Sequence, residues 1–142
     1  MSYNYYDFAE ADYLSVKVQM ANYGEPSFIP TNNICYTSQK SIEKFFKHII
    51  EVSVDESKLS STDLLDMDEV FKTHSLQKLK RFLERHVPTF QPDYPRILQI
   101  NGYYFESNYP GPNSYMVNDS DAKLCWDVLQ YTKQEVDSFL GI

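Results

Sequence analysis

Three histidines, two cysteines and one crowd of cations are the residues whose types could do chemistry in this chain. His48 stands among apolar neighbours in the stretch ICYTSQKSIEKFFKHIIEV, where an imidazole packs rather than moves protons. His74 opens a helical pattern, a place from which a ring nitrogen hydrogen-bonds across to a neighbour and fixes the helix entry. Lys78, Lys80, Arg81 and Arg85 crowd together, with Arg96 further on. Such a run reads first as a solvated helix face and second as a phosphate-binding one. Cys35 and Cys125 each adjoin an aromatic residue in a helical pattern, which predicts buried free thiols, with one disulfide as the alternative. No CxxC and no Cys/His cluster occurs, so no structural zinc is expected. Nor is there a Gly-rich phosphate loop or the twelve-residue calcium loop with its central Gly and final Glu. No cofactor is expected.

Composition sets the outer bounds. At 142 residues the chain is long enough for one domain with a real core, and 42% hydrophobic against 23% charged residues is a globular mixture. The net charge of −7 argues against non-specific binding to nucleic acid, because neutralising phosphates needs a basic surface. No apolar run reaches the roughly 20 residues of a membrane span. The start, MSYNYYDFAEAD, has neither the basic opening nor the apolar stretch of a signal peptide, so a cytoplasmic location is expected.

The elements that must position these groups read as helices. Ile42, Phe45, Phe46, Ile49 and Ile50 form one apolar stripe, with Thr37, Ser38 and Ser41 small enough to admit a neighbouring helix. The opposite face carries Lys40, Glu43, Lys44, Lys47 and Glu51, and Thr31 to Asn33 supply cap residues. Upstream, Asp7 and Glu10 have capping-box spacing, and Ala11, Leu14, Val18 and Ala21 give a core stripe. Residues 53–73 are rich in Ser and Asp and predict an acidic loop excursion, with a short helix or turn at LLDMDEVF. Thr73 caps a helix with Leu76, Leu79, Leu83 and His86/Val87 inward, ended by Pro88. Pro95 suits the first turn of a helix running from Arg96 to about Ser107. After the turn-forming NYPGPNS, Asn118 or Asp119 caps the cleanest pattern of all: Ala122, Cys125, Leu129, Thr132, Val136 and Phe139, closed by Gly141. No segment alternates as a strand does. The fold class is all-α, a four- to five-helix up-and-down bundle.

Three stretches of the chain resemble HEPN domains. SQKSIEKFFKHI resembles their "QAAEKALKA" helix, with Gln39, Glu43, Lys44 and Lys47 in matching places. Thr73-His74-Ser75-Leu76, followed by Leu79, resembles their "tHdLxxL" element. YYFESNYPG, from Tyr103 to Gly111, resembles the "YYIESRYPG" stretch before their last helix. The resemblance implies a bundle that is often a homodimer and is often encoded beside a minimal nucleotidyltransferase, as in two-component toxin–antitoxin systems.

One branch of that family consists of metal-independent ribonucleases marked by an Arg, four to six residues, then a His near the last helix. In the matching turn this chain has Asn108 and no His. Cleaving RNA without a metal needs a proton-moving group and a cation to stabilise the charged phosphorane, and Asn supplies neither. The expectation is therefore a non-catalytic binding module. Lys40, Lys44, Lys47, His74, Tyr104 and Tyr109 are the candidate nucleotide-binding residues, lysines for phosphate and tyrosines to stack on a base. The alternative is a ribonuclease using Arg81 and His86, which have the spacing but lie inside another helix. Five residues apart, they are turned by about 140° from each other.

Overall fold

A computed structural model describes residues 4–25, 28–102 and 117–142. Among them the chain is all-helical and forms a bundle, with no strand. Its elements are α1 (Tyr5–Ala21), α2 (Thr31–Ser53), α3 (Ser61–Lys72), α4 (Leu76–His86), α5 (Tyr94–Ile97) and α6 (Asp119–Leu140), with 3-10 turns at Glu56–Lys58 and Leu98–Ile100.

The core forms around α2. Phe45, Phe46, Ile42, Ile49 and Ile50 are fully buried, and α1, α6 and α4 pack around the helix that carries them. Each large apolar side chain so buried contributes roughly 1.5–3 kcal/mol. The small residues do what their size suggests. Ser41 Oγ donates to the Ala9 carbonyl at 2.7 Å, and Ala9 has no exposed surface, so α1 and α2 touch almost backbone to backbone. The face opposite the stripe is not wholly solvated, however: Glu43 and Lys47 are buried too. Pro30, not Thr31 to Asn33, stands at the cap position of α2.

Helix α1 departs most from its sequence pattern. It starts three residues early, with Asn4 as the cap and Asp7 completing the capping box. Its buried residues are Ala9 and Val16, with Tyr6, Tyr13 and Met20 packed beside them. Leu14 and Val18, expected inside, are 48% and 61% exposed. Both stripes have helical spacing, and the aromatic one wins because Tyr6 and Tyr13 bring more area to the core and keep their hydroxyls reachable. Tyr6 packs edge-on against Phe45, and its hydroxyl donates to Asp137 of α6 at 2.7 Å.

Residues 53–73 are not a loop throughout. Ser60 caps α3 by accepting from the Asp63 N–H, Met67 and Val70 are buried, and Phe71 stacks on Tyr5 at 5.6 Å. Ser75, rather than Thr73, caps α4, accepting from the Lys78 N–H. The helix expected from Arg96 is shorter and earlier: Asp93 caps a single α-helical turn, which tightens into 3-10 geometry and ends at Asn101. Tyr104 and Phe105 lie outside the described residues. Helix α6 follows its pattern, with Asn118 and Asp121 closing a capping box and Gly141 in the left-handed region at φ 74. Both cysteines are buried free thiols. Contact with Cys35, together with burial, pushes the Cys125 thiol up from its ordinary pKa.

Candidate functional site

Two places gather polar side chains. The first is where α2 meets the connection between α3 and α4. Gln39, Glu43 and Lys47 are four apart, so a helix sets them in one row, and the row faces Thr73 and His74. Gln39 Nε2 donates to the His74 carbonyl at 2.9 Å and to Glu43 Oε1 at 3.3 Å. Its Oε1 accepts the Gly102 N–H at 3.1 Å. Lys47 Nζ donates to the Thr73 carbonyl at 3.0 Å, and His74 Nδ1 lies 3.2 Å from Glu43 Oε2. Asn101 completes the cluster by accepting the Leu76 N–H at 2.9 Å. Gly102, at φ 107, is where the chain turns away; a side chain there would be strained.

The electrostatics follow from burial. Glu43 is 3% exposed, and its pKa is raised by burial, which the His74 hydrogen bond and the nearby Lys47 charge only partly oppose. Burial likewise lowers the pKa of Lys47, against the pull of Glu43. Each charged group is tolerated inside because the other is there with hydrogen bonds around it. The His74 side chain is 42% exposed.

The remaining nucleotide-binding candidates disperse. Lys44 turns to α1 and pairs with Asp12 at 2.6 Å, while Lys40 lies over the Tyr36 ring at 5.0 Å. Of the four candidates among the described residues, Lys47 and His74 share a site, through Glu43. Tyr104 and Tyr109 lie outside the described residues. His48 packs as expected: it is buried, edge-on to Tyr6, with Nδ1 2.8 Å from Glu51.

The second place is a groove of about 210 Å³ between α3 and α4. Lys78, Arg81 and Arg85 line it at i, i+3 and i+7, and Asp66 and Glu69 line it with them. Val70, Phe82 and His86 are also in its wall. Arg81 and His86 thus border one cleft despite their 140° separation on the helix, because the groove runs along a wide arc of α4. His86 lies against Phe82 with ring centroids 4.3 Å apart. Its Nε2 is buried without a hydrogen-bond partner, 3.8 Å from Asp63 Oδ1. Arg85 Nη2 approaches that oxygen to 3.1 Å, near enough for charge attraction but not aligned to donate, so Asp63 Oδ1 also lacks a hydrogen bond. The clustering of cations on α4 is visible in the sequence; that the acidic residues of LLDMDEVF face them is not, because it needs α3 to pack on α4.

A third, smaller knot joins α1 to α6. Lys133 Nζ donates to Asp137 at 2.6 Å and to the Tyr6 hydroxyl at 3.2 Å. Burial and the bond to Asp137 push the Tyr6 phenol up to about 12.

Among the described residues, no group of three or more His, Cys, Asp or Glu is arranged to hold a metal ion, and no helix is long and apolar enough to cross a membrane. No family model, no curated protein and no solved structure matches this chain.

Proposed function

We propose that this chain is a non-catalytic binding and interaction module of the HEPN type, working as a homodimer or as the accessory partner of a minimal nucleotidyltransferase. The observation that carries this reading is the closed cluster around Glu43. Gln39, Glu43 and Lys47, three of the α2 residues in the resemblance, hold the α3–α4 connection and the Gly102 turn, with His74 docked on Glu43. A buried carboxylate whose neighbours are all engaged in joining helices is built to hold a shape. The outer stripe of α1, with Leu14 and Val18 exposed, offers the interaction role an apolar surface. Calorimetric titration with ATP and related nucleotides tests the binding role, with measurable heat below millimolar ligand expected. Light scattering tests the other: a dimer is expected, which Val18→Lys returns to monomer.

One observation favours a second reading, a metal-independent ribonuclease: Arg81 and His86 border the same groove. RNA cleavage in EDTA by the wild type and by His86→Ala decides it. Equal activity, or none in either, removes the enzyme.

A further inference from the structure

The groove between α3 and α4 has two walls of opposite charge. Lys78, Arg81 and Arg85 stand on the α4 side, Asp66 and Glu69 on the α3 side. Its only ion contacts bridging the two helices are those of Asp63 with Arg85 and His86; Asp66, Glu69, Lys78 and Arg81 form no ion pair across it among the described residues. Opposed charges that face one cleft without closing on each other leave both sets of polar atoms for something placed between them. The apolar Val70 and Phe82 lie in the same wall, and His86 contributes a buried Nε2 with no hydrogen bond.

We infer that this groove binds a phosphate monoester whose alcohol part carries further hydroxyl groups, a sugar phosphate. The chemistry selects this class. Cations at i, i+3 and i+7 of one helix track a dianionic phosphate, and the Arg guanidiniums meet its oxygens with paired donors. Carboxylates repel a bare phosphate but accept hydrogen bonds from hydroxyls, so the α3 wall favours a polyol beside the phosphate and disfavours inorganic anions. Phe82 gives the sugar an apolar side on which to rest. The volume, about 210 Å³, suits a pentose phosphate better than a larger nucleotide. The assignment rests on the binding-module reading and names the ligand class and its place.

Calorimetric titration of the full chain with ribose 5-phosphate and, separately, inorganic phosphate tests it. Ribose 5-phosphate is expected to bind at least about tenfold more tightly than phosphate. Arg81→Gln should weaken it by about tenfold or more, the loss of one charge-assisted contact. Glu69→Gln should weaken ribose 5-phosphate yet leave inorganic phosphate unchanged or tighter, since a repelling charge is gone. Arg81 and Lys78 are both exposed, so a thermal melt matching the wild type shows the variants folded, and Lys78→Gln serves as the second cation variant. Equal affinity for the two anions, or an Arg81→Gln titration identical to the wild type, overturns the groove assignment. If His74→Gln abolishes binding where Arg81→Gln does not, the groove falls and the binding module stands. If neither these ligands nor ATP binds at millimolar concentration, the groove assignment and the nucleotide-binding role both fall, and only the interaction role is left.

Discussion

The Glu43 cluster and the α3–α4 groove use the same residue types to opposite ends. In the cluster, carboxylate, amide and amine lie between helices, and each bonds to a backbone group or to another member. In the groove, carboxylates and cations face one another across open space, and beside it Asp63 Oδ1 and His86 Nε2 are buried with no hydrogen bond. The difference lies in which elements bring the residues together. The cluster is tied to α2, which is packed from three sides, so its polar groups had to be satisfied internally. The groove belongs to α3, a helix whose main packing neighbour is α4, and water or a ligand can serve its polar groups. Closed polarity specifies shape, and open polarity leaves binding energy for something else.

Mutating each region should widen or erase that contrast. The largest effect is expected from Glu43→Ala, which leaves Lys47 buried without its counter-charge and strips a partner from Gln39 and His74. Urea denaturation should show about 3–5 kcal/mol lost. Gln39→Ala comes next, at about 1–3 kcal/mol by the same measurement, because the Gly102 N–H and the His74 carbonyl lose their partner.

Acid should report on the cluster through Glu43. Folded Glu43 holds its proton more tightly than an unfolded carboxylate, since burial raises its pKa. Its contribution to stability is therefore greatest at low pH and declines as pH climbs from about 4.3, the unfolded value, through the higher folded one. The urea midpoint of the wild type minus that of Glu43→Gln, followed from pH 3 upward, should fall over that window and then stay flat. A rise would mean that the carboxylate is stabilised, not penalised, by its site.

The smallest effect should come from the groove and carry the opposite sign. His86→Leu removes an unsatisfied nitrogen and keeps an apolar group on Phe82, so stability should hold or rise by up to about 1 kcal/mol in the same urea assay. A loss above about 2 kcal/mol would show that His86 is as engaged as Glu43, and the contrast would be gone.

Much of this was legible in the sequence, for reasons that differ by residue. The stripes of α2 and α6 were readable because each helix has one coherent apolar face, and Ser41 and Asn118 acted through size and capping, which are local properties. That His74 bonds across the bundle was also foreseeable from its place at a helix start. Helix α1 was misread because it carries two apolar stripes, and the choice between them depends on which one meets Phe45 and Asp137, a tertiary fact. Helix α3 was legible only as a short helix or turn at LLDMDEVF: Ser and Asp around it look like loop residues, although Ser60 is a cap and Met67 and Val70 an anchor. Burial of Glu43 and Lys47 could not be read from helical spacing, which says which residues share a face but not what covers it. The groove inherits both blind spots.

The carbonyls of Thr73 and His74 are gripped by Lys47 and Gln39, and Phe71 stacks on Tyr5 close by, so α3 is pinned at its C-terminal end while its far end is held through Asp63 against Arg85 and His86. A lever clamped at one end pivots about the clamp. Amide hydrogen exchange should accordingly begin at Ser61 and advance toward Lys72 well before α2 releases a single proton. The rate of that swing would set how quickly anything lodged beside α4 can come and go.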